Sequence, residues 1–169
     1  MEAWQMIKLL KVKVSGFMLL DDGFTIDFLN KSKVTEEDKE REVVELKEKL
    51  YIPTTTVFTG RNSSGKSTVF QLLKTIHSIL LYGRLKYNKL LFKDKTIDLQ
   101  FYFLMDNHIY KYNTIIHKPS ISVMEDDVYC TFDHETLEKR RYAKSYGKHN
   151  LDKPFESVEI DENTTLLQI

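Results

Sequence analysis

The sequence predicts an α/β fold: one strand runs through a glycine-bearing loop into one amphipathic helix, and an antiparallel β-subdomain follows. Three observations carry that expectation. Thr54 to Thr59 (TTTVFT) is the β-branched, aromatic run of a buried strand. Gly60 to Thr68 then breaks the run with a polar stretch enclosed by glycines. Beyond it, Val69, Leu72, Leu73, Ile76, Ile79 and Leu80 recur at the three-and-four spacing of one helix face, and Gly83 supplies a C-terminal stop.

The other elements follow in order. Lys11 to Val14 alternates lysine with valine, and Phe24, Ile26 and Phe28 alternate with Thr25 and Asp27, so the two segments read as a hairpin joined through Asp21-Asp22-Gly23. Lys31 to Leu50 mixes both charges around a thin stripe of Val43, Leu46 and Leu50. It reads as a charged helical insertion at about residues 33–50, with Thr35 as N-cap and Asp38 at N3. Pro53 closes that insertion. The β-subdomain is expected at about residues 96–132. Ile97, Leu99, Phe101 and Phe103 alternate with polar or tyrosine positions, Asp106-Asn107 turns the chain, and Tyr110, Tyr112, Thr114 and Ile116 alternate on the way back. Ile121 to Val123 and Val128 to Phe132 read as short strands, and Thr136 to Ser145 as a basic helix. The tail from Leu151 is acidic.

Composition sets the limits. The 169 residues suit one domain, with 41% apolar residues to build a core and 30% charged, which excludes wholesale disorder. Lys plus Arg and Asp plus Glu are 25 each, so net charge gives no reason to expect an acidic partner. The single cysteine, Cys130, excludes an internal disulfide framework, and a reduced thiol suits the cytoplasmic location expected here. No apolar run approaches the roughly 18 residues of a membrane span, and Met1 to Leu10 lacks a signal-peptide layout, so no membrane partner is expected.

The chemistry sits in Gly60-Arg61-Asn62-Ser63-Ser64-Gly65-Lys66-Ser67-Thr68, which fits the P-loop pattern G-x-x-x-x-G-K-[ST]. Glycines let backbone N–H groups approach phosphate oxygens. Lys66 would place an ammonium between the β- and γ-phosphates, and Ser67 would put its hydroxyl on Mg²⁺. The following helix would aim its positive end at the polyphosphate. The expected ligands are ATP and Mg²⁺, held by Gly60, Asn62, Ser63, Ser64, Gly65, Lys66, Ser67 and Thr68, with Ser67 on the metal. No residue is assigned a catalytic role.

The segment FTGRNSSGKST, Phe58 to Thr68, is similar to the GxNxSGKST loop of ABC-type ATPases of the AAA family, the group that includes RecF, the SMC proteins and the overcoming-lysogenization-defect nucleases. Asn62 is the residue that marks this branch. The flanks resemble the family too: a strand at Leu10 to Val14, Gly16-Phe17, a second strand at Phe24 to Phe28, and the loop-bearing strand at Thr55 to Thr59. The resemblance spans about residues 7–130. It implies a P-loop NTPase fold of ABC type with an antiparallel β-subdomain, and a single N-terminal ATP-binding lobe over residues 1–169. The partners it implies are ATP, a second copy or a C-terminal ATPase half, and DNA, because relatives act in DNA repair or phage defence.

The chain departs from that family in several places. Met18 follows Phe17 where the family carries Arg or Lys. No LSGGQ-like signature is present, and Val158-Glu159-Ile160-Asp161-Glu162 is a poor Walker B because Glu159 breaks its apolar run. The expectation is therefore an apparently truncated lobe that binds ATP and turns it over slowly or not at all. A small P-loop kinase and a non-catalytic, nucleotide-regulated interaction module remain alternatives. Two basic stretches, Arg84 to Lys95 and Lys139 to Lys148 with Tyr142 and Tyr146, could meet nucleic-acid phosphate or form a solvated surface. The five histidines show no metal-ligand spacing.

Overall fold

The computed structural model describes residues 7–61, 65–119 and 128–160. In chain order the elements are β1 (Lys8–Ser15), β2 (Phe24–Asp27), α1 (Glu36–Arg41), β3 (Val43–Lys47), β4 (Leu50–Pro53), α2 (Lys66–Tyr82), β5 (Thr96–Met105), β6 (His108–His117), β7 (Thr131–Arg141) and β8 (Glu156–Val158). Six strands form one sheet in the order β2-β1-β5-β6-β7-β8, and every neighbouring pair is antiparallel. Strands β3 and β4 pair separately.

This architecture corrects the expected fold class. The chain is mostly antiparallel sheet with two α-helices among the described residues, and it is not an α/β P-loop NTPase fold of ABC type. A βαβ unit needs a parallel strand on each side of its crossover helix. Here Thr54 to Thr59, the run expected as the strand before α2, is outside every strand, and Thr54 to Val57 are exposed. After α2, β5 pairs antiparallel with β1. Strand β1 already holds β2 on its other edge, so neither edge of it is open to the TTTVFT run.

Two further elements depart from sequence expectation. The 31–50 segment is helical only over Glu36–Arg41, where Thr35 and Asp38 make the predicted capping box. The chain then turns into the β3-β4 hairpin, with Lys49 at a φ of 66° in its turn. Strand pairing lets Val43 and Leu50 be buried, which a solvated charged helix would not. Thr136 to Ser145, expected as a helix, falls mainly in β7. The reason is non-local: β7 supplies the hydrogen-bond partners that the outer edge of β6 requires. The expected strand at Ile121 to Val123 lies outside the described residues.

The helix expected after the loop is present as α2, and Gly83 closes it at a φ of 62° with its N–H on the Ile79 carbonyl at 2.9 Å. The hairpin expected between Ile97 and Ile116 is present as β5-β6, with Phe101 opposite Tyr112. Buried Leu72, Ile76 and Ile79 of α2 share one core with Val12, Val14, Phe101, Phe103 and Tyr112 of the sheet. A second, smaller core contains Leu10, Leu29, Leu50, Leu104 and Ile109. A register shift between Leu9 and Lys11 lets one strand serve both cores: Leu9 packs against the first and Leu10 lies in the second.

Two predictions test this packing. Gly16 has a φ of 73°, and a Cβ there would meet the Thr96 carbonyl oxygen at 2.4 Å. Gly16→Ala should therefore cost at least about 2 kcal/mol in urea unfolding, from left-handed strain plus a backbone clash. Gly23→Ala, at a φ of 75° with only the Lys13 Cε near the added Cβ at 4.0 Å, should cost about 1 kcal/mol. Similar losses at both sites would contradict this packing. Separately, burial pushes the Cys130 thiol up to about 11. At pH 8 the folded thiolate fraction is then about 10⁻³, against roughly a quarter in the unfolded chain. Alkylation should thus be hundreds-fold slower than in urea, and equal rates would show that Cys130 is not buried.

Candidate functional site

The loop-to-helix junction is built by Gly65. Its φ of 86° places it in the left-handed region, and its carbonyl accepts the Val69 N–H at 3.0 Å, the first bond of α2. Glycine adopts this conformation without steric cost. Among the described residues no side chain caps this end of α2, and its first turn carries no acidic residue. The amides of the first turn and the positive end of the helix dipole are therefore not neutralised by a local carboxylate.

Lys66 is the first residue of α2, and its ammonium turns back into the loop. Nζ donates to the carbonyl oxygens of Gly60 and Arg61, each at 2.7 Å. The chain on the near side of the loop thus wraps around the charge that the motif places there. Ser67 is exposed, so its hydroxyl is open to a metal-bound ligand. Thr68 is buried on the core side of the helix and takes the role of a packing residue. Asn62, Ser63 and Ser64 lie outside the described residues.

Two contacts fix the base of the loop. Phe58 and Phe70 flank it in sequence and meet edge to face, with ring centroids 5.9 Å apart. Leu20, on the connection between β1 and β2, lies 3.8 Å from the place a Cβ on Gly65 would take. Further back, Thr54 is tied to the end of α1: its N–H donates to the Glu42 carbonyl at 2.9 Å and its hydroxyl to the Arg41 carbonyl at 3.0 Å. The loop is therefore held by local contacts and not by a strand in the sheet. Phe17 is fully buried, and Met18 joins the wall of the 85–91 segment through its N–H on the Leu91 carbonyl at 2.9 Å.

Two members of the second basic stretch, Arg140 and Lys144, are engaged within the chain. The Arg140 guanidinium lies 4.1 Å from the centre of the Tyr146 ring and donates to the Asn150 carbonyl at 3.3 Å, while Lys153 faces the same ring at 5.3 Å. Lys144 pairs with Glu48, and the Tyr142 hydroxyl donates to the Glu48 carbonyl. Sequence reasoning missed Asn150, which is wholly buried. Its Nδ2 donates to the carbonyls of Ala143 at 3.1 Å and Gly147 at 2.7 Å, so it pins this segment together. Nothing in a polar stretch such as Gly147-Lys148-His149-Asn150 marks one member as buried.

Among the described residues, no three His, Cys, Asp or Glu side chains gather as a metal site would require, and no helix is long and apolar enough to cross a membrane. Burial, then a hydrogen bond to Glu135, raises the Tyr112 hydroxyl pKa, and both effects keep it neutral within the core. Neither any protein-family model nor any curated protein sequence matches the chain.

Proposed function

We propose that the Gly60 to Thr68 loop and the first turn of α2 bind the polyphosphate of Mg-ATP. The observation that carries this reading is the Lys66 ammonium, held at 2.7 Å by the Gly60 and Arg61 carbonyls at the mouth of an uncapped helix. Those carbonyls occupy acceptor positions that phosphate oxygens would take. Exchanging a neutral acceptor for an anionic one strengthens each bond, so nucleotide entry has a driving force without remaking the lysine's geometry. The exposed Ser67 hydroxyl provides a Mg²⁺ ligand. The motif pattern assigns its middle positions, Asn62, Ser63 and Ser64, to the same phosphate.

The GxNxSGKST form supports kinship with ABC-type ATPases at the level of the loop, and with it ATP as the nucleotide. It also supports a second nucleotide-bound chain as partner, because in those ATPases each site is closed by the opposite subunit. Lys66 and Ser67 position phosphate but do not activate water, so the activity proposed is binding and not turnover.

Calorimetric titration with Mg-ATP should give saturable binding. Lys66→Ala should weaken it at least about tenfold, the loss expected for charge-assisted bonds worth about 1.5–3 kcal/mol. Lys66→Arg should not restore it, because the planar guanidinium does not reproduce a point charge inside the loop. No measurable affinity for Mg-ATP, or full affinity in Lys66→Ala, would overturn the proposal.

A further inference from the structure

Two phenylalanines bracket the loop. Phe58 precedes it, and Phe70 lies on α2, one turn beyond Lys66. Their rings meet edge to face, with an angle of 76° between the planes. In a helix the Cα–Cβ bond tilts toward the N-terminus, so a long side chain covers the turn before its own Cα. The Phe70 ring therefore lies over the first turn of α2, and its contact with a residue from before the loop agrees with that direction. Ser67 stands three residues before Phe70, on the same stripe of the helix. Both are exposed, Phe70 by 61%, while Val69 and Leu72 are buried in the core.

A single exposed apolar side chain calls for no explanation. Phe70 differs in where it sits and in how it is held. Its ring adjoins the place where Lys66 and Ser67 meet phosphate, and Phe58 braces it from the other side of the loop. A braced ring loses little rotamer freedom when a ligand settles on it. In a nucleotide only the ribose separates the base from the phosphates. A polyphosphate seated on the first turn of α2 therefore brings its base against the surface around that turn, where the exposed ring is. Bases stack on aromatic side chains through π faces, and such contacts are among the strongest that a base makes with an apolar group.

We infer that the exposed Phe70 ring stacks on the base of the nucleotide whose polyphosphate Lys66 and Ser67 hold, so that the site prefers a nucleoside triphosphate to a bare polyphosphate. This inference rests on the phosphate reading of the loop and adds the contact that recognises the base. Every base has a π face, so the contact selects for a nucleoside and not for one particular base.

Calorimetric titration of the full chain with Mg-ATP and with magnesium tripolyphosphate, which lacks base and sugar, tests it. The readout is the ratio of the two affinities, because a change in the loop itself affects both ligands and cancels. The wild-type chain should bind Mg-ATP at least about fivefold more tightly than tripolyphosphate, the low end of what a base–aromatic stack supplies. Phe70→Leu keeps an apolar contact for Phe58 but has no π face, and it should lower that ratio at least about fivefold. Phe70→Trp should preserve the ratio. Phe70 is exposed, so both variants spare the core. Equal affinities of the wild-type chain for the two ligands would overturn the inference and leave the phosphate reading standing. A Phe70→Leu chain that loses both ligands by the same factor, or neither, would do likewise, assigning the ring to holding the loop alone. Binding of neither ligand by the wild-type chain would overturn both readings.

Discussion

The packing of α2 on one face of the antiparallel sheet is the contact on which the rest of the molecule depends. Leu72, Ile76 and Ile79 are buried with Phe101, Phe103 and Tyr112, and Phe101 lies 5.1 Å, centroid to centroid, from Tyr112 and 5.9 Å from Phe103. A helix is rigid over this length, so burying one stripe fixes the rotation of every other residue about its axis. The N-terminus then presents Lys66 and Ser67, and the flank of the same helix presents Gln71, Lys74 and Ser78. The placing of the candidate loop is a consequence of how the core is packed and requires no separate scaffold.

The sheet also decides how the loop is supported. In an α/β arrangement a loop of this kind hangs from the end of a paired strand. Here β1 is flanked by β2 and β5, and Thr54 to Thr59 lie outside the sheet. The loop relies instead on the Phe58–Phe70 ring contact, on Leu20 beside Gly65, and on the Lys66 bonds to Gly60 and Arg61. Removing Lys66 therefore takes away two loop contacts along with the proposed ligand contact, which is why Lys66→Arg, which keeps the charge, is informative beside Lys66→Ala.

What was legible in the sequence follows the range of the interactions. The stripe Val69 to Leu80 and the terminal Gly83 are local signals, and they read correctly as one helix. The alternation from Ile97 to Ile116 is also local, since a tight turn brings the strands together, and the pairing has the expected sense. The misread segments depend on partners far along the chain. Val43, Leu46 and Leu50 fit a helical stripe until the second core, with Leu10, Leu104 and Ile109, takes in Leu50 and Leu46 from a hairpin. Thr136 to Arg141 is held as strand by β6 and by details such as Lys111 on Glu138 at 3.0 Å. The candidate loop divides in the same way. Gly65, Lys66 and Ser67 were visible because the loop pattern has a fixed spacing. The carbonyl contacts on Lys66 were not, because backbone acceptors leave no trace in residue identity.

The zero net charge of the chain illustrates how little an average constrains a site. Acids balance lysines in pairs set away from α2: Asp27 with Lys31 at 2.7 Å, Glu36 with Lys39 at 2.8 Å, Glu138 with Lys111 at 3.0 Å. The helix itself contains Lys66 and Lys74 and no Asp or Glu over its 17 residues. Exposed charges more than about 8 Å apart are largely screened at physiological ionic strength. A carboxylate paired on another element therefore neutralises the total without neutralising the field that a phosphate meets at α2. The electrostatics that a ligand at this helix would meet are those of the helix itself, whose positive N-terminal end and two lysines carry the sign that an anion requires.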